Sequence, residues 1–258
     1  MADPASLLFF TCANAPYHDF APLYACSVLF CAPGARVEIG VEGAFTFEAV
    51  HGGAVDVLWE HFGRDAFSYR SAPWTLPNGA KIVPNTVRFL TPPQVAADYI
   101  YIGDIDIIFL DRTFPTAHLN FMAKTGLPYS NSVRPGTKRL SGLHFTKRAA
   151  YYPVPETKGL DLTSSNDEEV LYQLVRRKGL PVQDQEWFRP THGIHMSPNR
   201  SIRGEPGVRP GWGVEHHLAN YRQFIAFEPM RALRPYLSAR VRGYLDQIEQ
   251  EYGIEAAA

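Results

Sequence analysis

Short apolar runs alternate along this chain with polar segments that contain proline and glycine, a pattern typical of alternating strands and helices. The run Leu7–Thr11 predicts a first strand, and Tyr17–Cys31 has apolar residues near helical spacing. Pro33 and Gly34 end that helix, and Arg36–Val41 alternates as a second strand would. Strand, helix and strand together predict the start of an α/β sheet with a nucleotide pocket at the strand ends.

A second apolar stretch is interrupted by two carboxylates. Tyr99–Ile102 is apolar or aromatic, as a strand buried on both faces requires. Gly103 then permits a sharp turn or a close approach to a ligand, and Asp104 and Asp106 follow before a further apolar run, Ile107–Leu110. Two alternate carboxylates in an apolar segment repel each other, and a divalent cation such as magnesium, calcium or manganese is the simplest compensation. The alternative is that the two aspartates end a strand and face water.

Composition restricts the class of protein. The chain has 258 residues, of which 45% are hydrophobic and 20% are charged. These values suit a globular protein with a sizeable core, built as one large domain or a domain with a small extension. The formal net charge is -1, so no overall field favours nucleic acid or a membrane, and we expect no nucleic-acid partner.

The cysteines and the N-terminal segment bear on the compartment. Cys26 and Cys31 lie in an apolar run, which predicts buried thiols and favours a reducing environment. No apolar run approaches the length of a membrane span, and no basic segment precedes Leu7–Phe10, so we expect no secretion signal. A cytoplasmic protein is the expectation.

The segment Ile102–Ile108 resembles the Asp-x-Asp segment of GT-A glycosyltransferases, especially glycosyltransferase family 8 of the bacterial polysaccharide and lipopolysaccharide type. The resemblance implies a GT-A, Rossmann-like mixed sheet flanked by helices in a single domain. It implies that Asp104 and Asp106 hold a manganese ion, which grips the diphosphate of a nucleotide sugar, with Ile105 between them at the donor.

The loop after the first strand is implied by the same resemblance to contact the nucleoside. Its candidate residues for the base and the ribose are Thr11, Ala13 and Asn14. An ordinary strand-to-helix loop is the alternative interpretation.

The family also carries polar and basic residues on a helix just before the Asp-x-Asp strand, where they face the donor. Asn85 and Arg88 match that placement, and a guanidinium suits a phosphate or one of the aspartates. A surface arginine is the alternative.

Ser141 and Gly142 resemble the family's small-residue segment, where the sugar lies against the backbone, although small residues can equally serve packing.

A helix start is predicted at Ser164–Leu174, where Ser165 or Asn166 can cap and acidic residues occupy the first turn. In the family the corresponding helix opens with an acid and an amide that reach the sugar and the reacting face. By that resemblance Asp167 is the preferred donor-sugar contact and Glu168 the second, and both are candidate catalytic residues together with the arginine described above.

A late segment, Arg189–Arg200, contains two histidines three residues apart. A late histidine completes the metal site in family 8, so His192 and His195 are both candidate ligands. In an extended segment the two point to opposite faces, which favours one ligand over two. We favour His195, because polar groups that include Arg200 would then reach the diphosphate. A histidine that binds no metal is the alternative for either.

The C-terminal residues Met230–Tyr252 have apolar positions at helical spacing. We predict a glycosyltransferase domain over residues 1–228 and an amphipathic helix over 229–258 that packs on it. The arginines of this helix could instead touch an anionic membrane surface, at the inner face of the membrane.

The parts occur in the order expected for a metal-dependent glycosyltransferase that moves a hexose from a UDP-sugar to a glycan or lipid-linked acceptor in bacterial surface-polysaccharide synthesis. Manganese or magnesium is the implied cofactor. The resemblance implies retention of configuration, whereas inversion would need a base such as Asp167 or Glu168. A sugar-nucleotide nucleotidyltransferase is one alternative, but it would carry a glycine-rich basic loop after the first strand. A non-catalytic nucleotide-sugar or glycan-binding module is the other.

Overall fold

A mixed sheet lies at the centre of the part of the chain that this computed structural model describes, which is residues 5–131, 133, 136–182, 192–196 and 214–254. The strands are β1 (Leu7–Ala13), β2 (Arg36–Val41), β3 (Phe67–Ser71), β4 (Tyr99–Ile102), β5 (Ile107–Phe109), β6 (Tyr129–Ser130), β7 (His144–Lys147) and β8 (Gly193–His195). Six of them form the sheet in the order β3-β2-β1-β4-β7-β6. The first four strands run parallel, β7 is antiparallel to β4 and β6, and β5 pairs with β8 in a separate antiparallel ribbon.

Helices cover both faces of this sheet. They are α1 (Ala21–Cys31), α2 (Ala44–Phe62), α3 (Pro84–Leu90), α4 (Phe114–Thr125), α5 (Arg148–Tyr151), α6 (Asp167–Arg177), α7 (Val214–Ala226), α8 (Glu228–Leu233) and α9 (Ala239–Glu251). Successive side chains of β1 go to opposite faces: Phe9 joins the core formed with α1, α2 and α7 to α9, whereas Leu8 and Phe10 join the core formed with α3 and α6. The predicted mixed α/β sheet flanked by helices is confirmed.

The apolar stretch that contains the two aspartates forms two strands with different partners. Tyr99–Ile102 is β4 of the main sheet, and Ile107–Phe109 is β5, which leaves that sheet to pair with β8. At the turn between them, a Cβ on Gly103 would lie 2.5 Å from Cε1 of Tyr101, so glycine is needed there. The chain therefore leaves the sheet at the residues that present the carboxylates.

Two helices differ from the expected extents. Residues Ala15–Phe20 form a 3-10 helix before α1. The sequence from Val55 to Phe62 predicts a helix, whereas α2 begins earlier, at Ala44. Gly52 and Gly53 weaken the local helix signal. A Cβ on Gly53 would lie 2.8 Å from the ring of Tyr236, a half-exposed side chain that would have to move aside.

The C-terminal region forms α8, a 3-10 turn and α9 rather than one continuous helix. Pro235 lies in that turn, where it cannot donate a backbone hydrogen bond. Arg234 in the same turn pairs with Asp246 and Glu249 of α9, at 2.7 Å in each case. The division of the chain at residue 228 stays a prediction.

The three cysteines are buried and unbonded to one another, as predicted for Cys26 and Cys31. Within the described ranges, no helix combines the length and the apolar character needed to cross a bilayer.

Candidate functional site

A cleft of about 230 Å³ opens at the carboxyl ends of β1 and β4. The chain runs outward from β1 through β2 to β3 and then returns on the other side of β1 as β4. Such a reversal in strand order leaves a crevice that commonly binds ligands. The lining residues are Cys12, Asn14, Tyr17, Trp74, Pro84, Asn85, Arg88, Asp104, Ile105, Asp106 and His195.

Three lining side chains form a group that could hold a metal ion. One ligand atom from each of Asp104, Asp106 and His195 lies within 4.8 Å of the others. His195 Nε2 is 3.0 Å from Asp106 Oδ1 and 4.0 Å from Asp104 Oδ2. Two carboxylates and one imidazole are a donor set that suits manganese or magnesium, so the residues fit the implied cofactor.

The ribbon of β5 and β8 brings His195 to the aspartates. Its register sets His195 opposite Ile107, the residue that follows Asp106. The amide of Met196 donates to the carbonyl of Asp106 over 2.8 Å, which extends the pairing to the acid itself. The histidine and the aspartate are 89 residues apart in sequence and adjacent only because these two short strands pair.

Arg88 of α3 lies behind the acidic pair and is almost fully buried. Its Nη2 is 2.8 Å from Asp104 Oδ1 and 3.0 Å from Asp167 Oδ2, and it lies 3.4 Å from the carbonyl oxygen of Gly142. Burial alone would lower the pKa of Arg88, but the carboxylates of Asp104 and Asp167 oppose that effect, and the net shift is upward. The guanidinium is therefore a fixed positive charge at the base of the cleft.

Gly142 and Asp167 meet at this arginine. A Cβ on Gly142 would lie 2.6 Å from Arg88 Nη2 and 3.4 Å from Asp167 Oδ2, so a larger residue would displace the guanidinium. Asp167 is the first residue of α6, whose cap is Asn166, with Oδ1 accepting from the amide of Glu168 over 2.8 Å. The small residue and the acidic helix start are thus brought to the same place as the Asp-x-Asp turn.

Only some of the other predicted site residues line the cleft. Asn14, Asn85 and Ile105 line the cleft. Glu168 is half-buried and outside the cleft lining, as is Ser141, whose carbonyl accepts from Asn131 Nδ2 over 2.9 Å.

Thr11 and Ala13, which the sequence predicts in the loop after the first strand, lie instead within β1. Thr11 is fully buried, and its hydroxyl donates to the carbonyl of Gly103 over 2.8 Å, which ties β1 to the turn that carries the aspartates. Ala13 is also fully buried and outside the lining. Arg200 lies outside the described residues. The functional roles of all these residues stay predictions.

His192 and His195 lie on opposite faces of their segment. Buried and partly exposed residues alternate from His192 to Met196. The ring of His192 faces the interior, where it lies 5.2 Å from the ring of Tyr101 and 5.1 Å from that of Phe114. It is not part of the acidic group, so the structure brings one of the two histidines to the aspartates.

Two aromatic lining residues were missed from the sequence. Tyr17 lies in the 3-10 helix after β1, and Trp74 lies in the loop after β3. That loop is a tight turn, in which the amide of Ile82 donates to the carbonyl of Trp74 and that of Leu76 to the carbonyl of Ala80. The sequence Pro-Trp-Thr-Leu-Pro-Asn-Gly at 73–79 signals a turn, but nothing in it shows that the turn folds back on the cleft.

Cys12 also lines the cleft. Burial raises the pKa of its thiol to about 12, so the group is neutral near pH 7. A neutral thiol is a poor nucleophile, and we assign it no chemical role.

Comparisons with known proteins give distant likenesses. No protein-family model matches the sequence, and no curated protein matches it either. The structure is similar to the galactosyltransferase LgtC in complex with donor and acceptor sugar analogs, at 13% identity and a TM-score of 0.45, over 65% of this chain and 70% of that one.

Two other solved structures are comparably similar. The apo-form glycosyltransferase GlyE of Streptococcus pneumoniae TIGR4 matches at 11% identity and a TM-score of 0.44, over 68% of this chain and 44% of that one. The bifunctional IspDF of Campylobacter jejuni matches at 6% identity and a TM-score of 0.40, over 69% and 49%. All three TM-scores are below 0.5, so the likenesses carry no argument about this chain.

Proposed function

We propose that this chain is a GT-A-type glycosyltransferase that moves a hexose from a UDP-sugar to a glycan or lipid-linked acceptor. The convergence of Asp104, Asp106 and His195 on one side of a cleft, with the buried guanidinium of Arg88 against Asp104, supports the assignment. A cation-binding acidic pair next to a fixed positive charge is what a diphosphate-bearing substrate requires. We propose that the chain acts in the synthesis of a bacterial surface polysaccharide.

The cleft lining contains two kinds of group, which suit the two parts of a nucleotide sugar. Arg88, the two aspartates and His195 are ionic. Asn14, Asn85, Tyr17 and Trp74 offer amides and aromatic rings. We propose that the diphosphate binds at the ionic residues and that the base and the ribose lie against the amides and rings.

The reaction breaks the bond between the anomeric carbon and a diphosphate oxygen, and the electron pair leaves with that oxygen. A manganese or magnesium ion held by Asp104, Asp106 and His195 would neutralise the negative charge that develops on the leaving group. Arg88 orients Asp104, since the guanidinium donates to its Oδ1. Arg200 is proposed as a second positive group at the diphosphate.

The acceptor hydroxyl oxygen forms the new bond to the anomeric carbon. We propose retention of configuration, with the acceptor proton passing to the departing diphosphate oxygen. Asp167 is proposed to contact the donor sugar, since its Oδ2 lies 3.0 Å from Nη2 of Arg88, which lines the cleft. If the reaction inverts configuration, Asp167 or Glu168 would serve as the base that removes the acceptor proton.

The C-terminal helices and the compartment complete the proposal. We propose a cytoplasmic enzyme, in which the arginines of α8 and α9 allow weak contact with an anionic membrane where a lipid-linked acceptor resides. The loop Cys12–Pro16 contains neither glycine nor a basic residue, which disfavours a nucleotidyltransferase.

Release of UDP from a panel of UDP-sugars, with and without manganese, tests the proposal. The variant Asp106→Asn keeps the size of the side chain but removes the charge, and Asp56→Asn on the exposed surface of α2 is the matched control. We expect slow, manganese-dependent hydrolysis of one donor by the wild type and the control, and its loss in Asp106→Asn. Absence of both turnover and metal-dependent binding for every nucleotide sugar would rule the proposal out.

A further inference from the structure

Two buried histidines meet on the face of β8 opposite His195. His192 immediately precedes β8, and its Nε2 is 3.4 Å from Nε2 of His118 in α4. Nδ1 of His118 is in turn 2.8 Å from the hydroxyl of Ser130 in β6. His118 is only 1% exposed and His192 only 5%. This chain of contacts joins β8, α4 and β6, three elements that are distant in sequence.

Aromatic rings surround this pair. The ring of His118 stacks on Phe145 at 4.8 Å, and the ring of His192 lies against Tyr101 and Phe114. Burial lowers the pKa of His118 to about 3, so its ring is neutral near pH 7. At this contact one ring nitrogen donates and the other accepts. An imidazole nitrogen left unpaired here would lose its hydration without replacement.

The ribbon that β8 forms with β5 is short, with three residue pairs in register. Side chains alternate along it, so His192, Ile194 and Met196 face the interior while Gly193 and His195 do not. A slip by one residue would exchange the two faces. Ile194 and Met196 are fully buried apolar side chains, whereas the ring of His192 also has a hydrogen-bond partner, His118, which it reaches in this register.

We propose that His118 is a positioning residue, whose hydrogen bond to His192 fixes the register of β8 on β5 and so holds His195 beside Asp104 and Asp106. The backbone transmits this position, because the amides of Leu110 and Asp111 donate to the carbonyl of His192 over 2.8 and 3.0 Å. The inference rests on the proposed function only in taking the acidic group as the metal site.

The affinity for manganese, measured from the electron paramagnetic resonance of the free ion, tests the proposal. His118→Phe keeps a ring against Phe145 but removes the hydrogen bond, and we expect about a tenfold weaker affinity, as for other residues that orient a metal ligand. His118→Gln can still pair with His192 and should bind within about threefold of the wild type. The control is His51→Phe, which alters a buried histidine packed on Phe47 in α2 and should leave the affinity unchanged.

Backbone amide hydrogen exchange at residues 193–196 provides a second measurement that needs no metal. We expect faster exchange in His118→Phe and wild-type rates in His118→Gln and His51→Phe. The double variant His118→Phe/His192→Phe should lose no more than either single variant, because both remove the same contact. Additive losses, or wild-type exchange and affinity in His118→Phe, would overturn the positioning role. A wild type that binds no manganese but shows the expected exchange would instead overturn the proposed metal site.

Discussion

Arg88 and Asp104 share a contact of 2.8 Å between Nη2 and Oδ1, while the other oxygen of Asp104 faces His195 at 4.0 Å. One oxygen of the carboxylate therefore contacts the guanidinium, and the other faces the side of the cleft where a cation could bind. The guanidinium thus orients this carboxylate within the site. Arg88 therefore belongs to the same site as Asp104, although the two residues lie in different elements.

Removal of the Arg88 guanidinium should destabilise the fold and also reduce activity. Arg88→Met leaves Asp104 and Asp167 without their shared partner, and we expect about 2 kcal/mol less stability toward unfolding, because both acids are only partly exposed. Arg139→Met is the matched control, since its pair with Glu169 is roughly 40% exposed on both sides and should contribute less than about 0.5 kcal/mol. Urea unfolding compares the two. Equal losses would show that burial of the arginine does not matter.

A methyl group at residue 142 should reduce turnover more than stability. In Gly142→Ala the new Cβ would lie 2.6 Å from Arg88 Nη2, so the guanidinium must move away from Asp104 or Asp167. We expect at least about a tenfold loss in kcat/KM, equivalent to about 1.4 kcal/mol, measured as UDP release. Gly243→Ala in α9 meets nothing within 4 Å and should keep full activity with about 0.5 kcal/mol more stability.

The aromatic residues that line the cleft should contribute to donor affinity and not to metal binding. Trp74→Leu removes a ring that lines the cleft, and we expect a rise in KM for the UDP-sugar of about tenfold. Trp59→Leu is the control, since that ring stacks on Tyr69 and its Nε1 donates to Phe67 outside the cleft. Isothermal titration with UDP should weaken only for Trp74→Leu, while manganese affinity stays at the wild-type value for both. An unchanged UDP affinity would place the base elsewhere.

Stability should fall as the pH is lowered below about 6.5. Burial lowers the pKa of His118 and of His144 from 6.5 to about 3. Since each pKa is lower in the folded protein than in the unfolded chain, the unfolded chain binds more protons between these values. Each group then lowers the free energy of unfolding by up to about 1.4 kcal/mol for every pH unit below the pKa of a free imidazole.

Urea midpoints at pH 7, 6 and 5 measure this dependence. His118→Phe removes one of the two groups and should give a shallower decline than the wild type. A wild-type midpoint that does not change from pH 7 to pH 5 would contradict the expected burial of these rings in neutral form.

Local signals in the sequence were sufficient for several parts of this structure. Apolar runs marked β1 and β4, because a strand buried on both faces admits few polar residues, and alternation of apolar and polar residues marked β2. The acidic pair stood out for the same reason, and the capping pattern located α6, which begins at Asp167 behind the cap Asn166. These features depend on residues that are neighbours in the chain, so the order of residues alone was enough to determine them.

Only the tertiary structure decided which distant groups meet. The departure of β5 from the main sheet depends on its pairing with β8, and that pairing brings His195 rather than His192 to Asp106. The contact of Arg88 with Asp104 and Asp167 joins three separate elements, and Trp74 reaches the cleft through a turn whose direction its own sequence does not define. These relationships arise from the packing of elements far apart in sequence, and a local pattern of hydrophobic and polar residues carries no information about such packing.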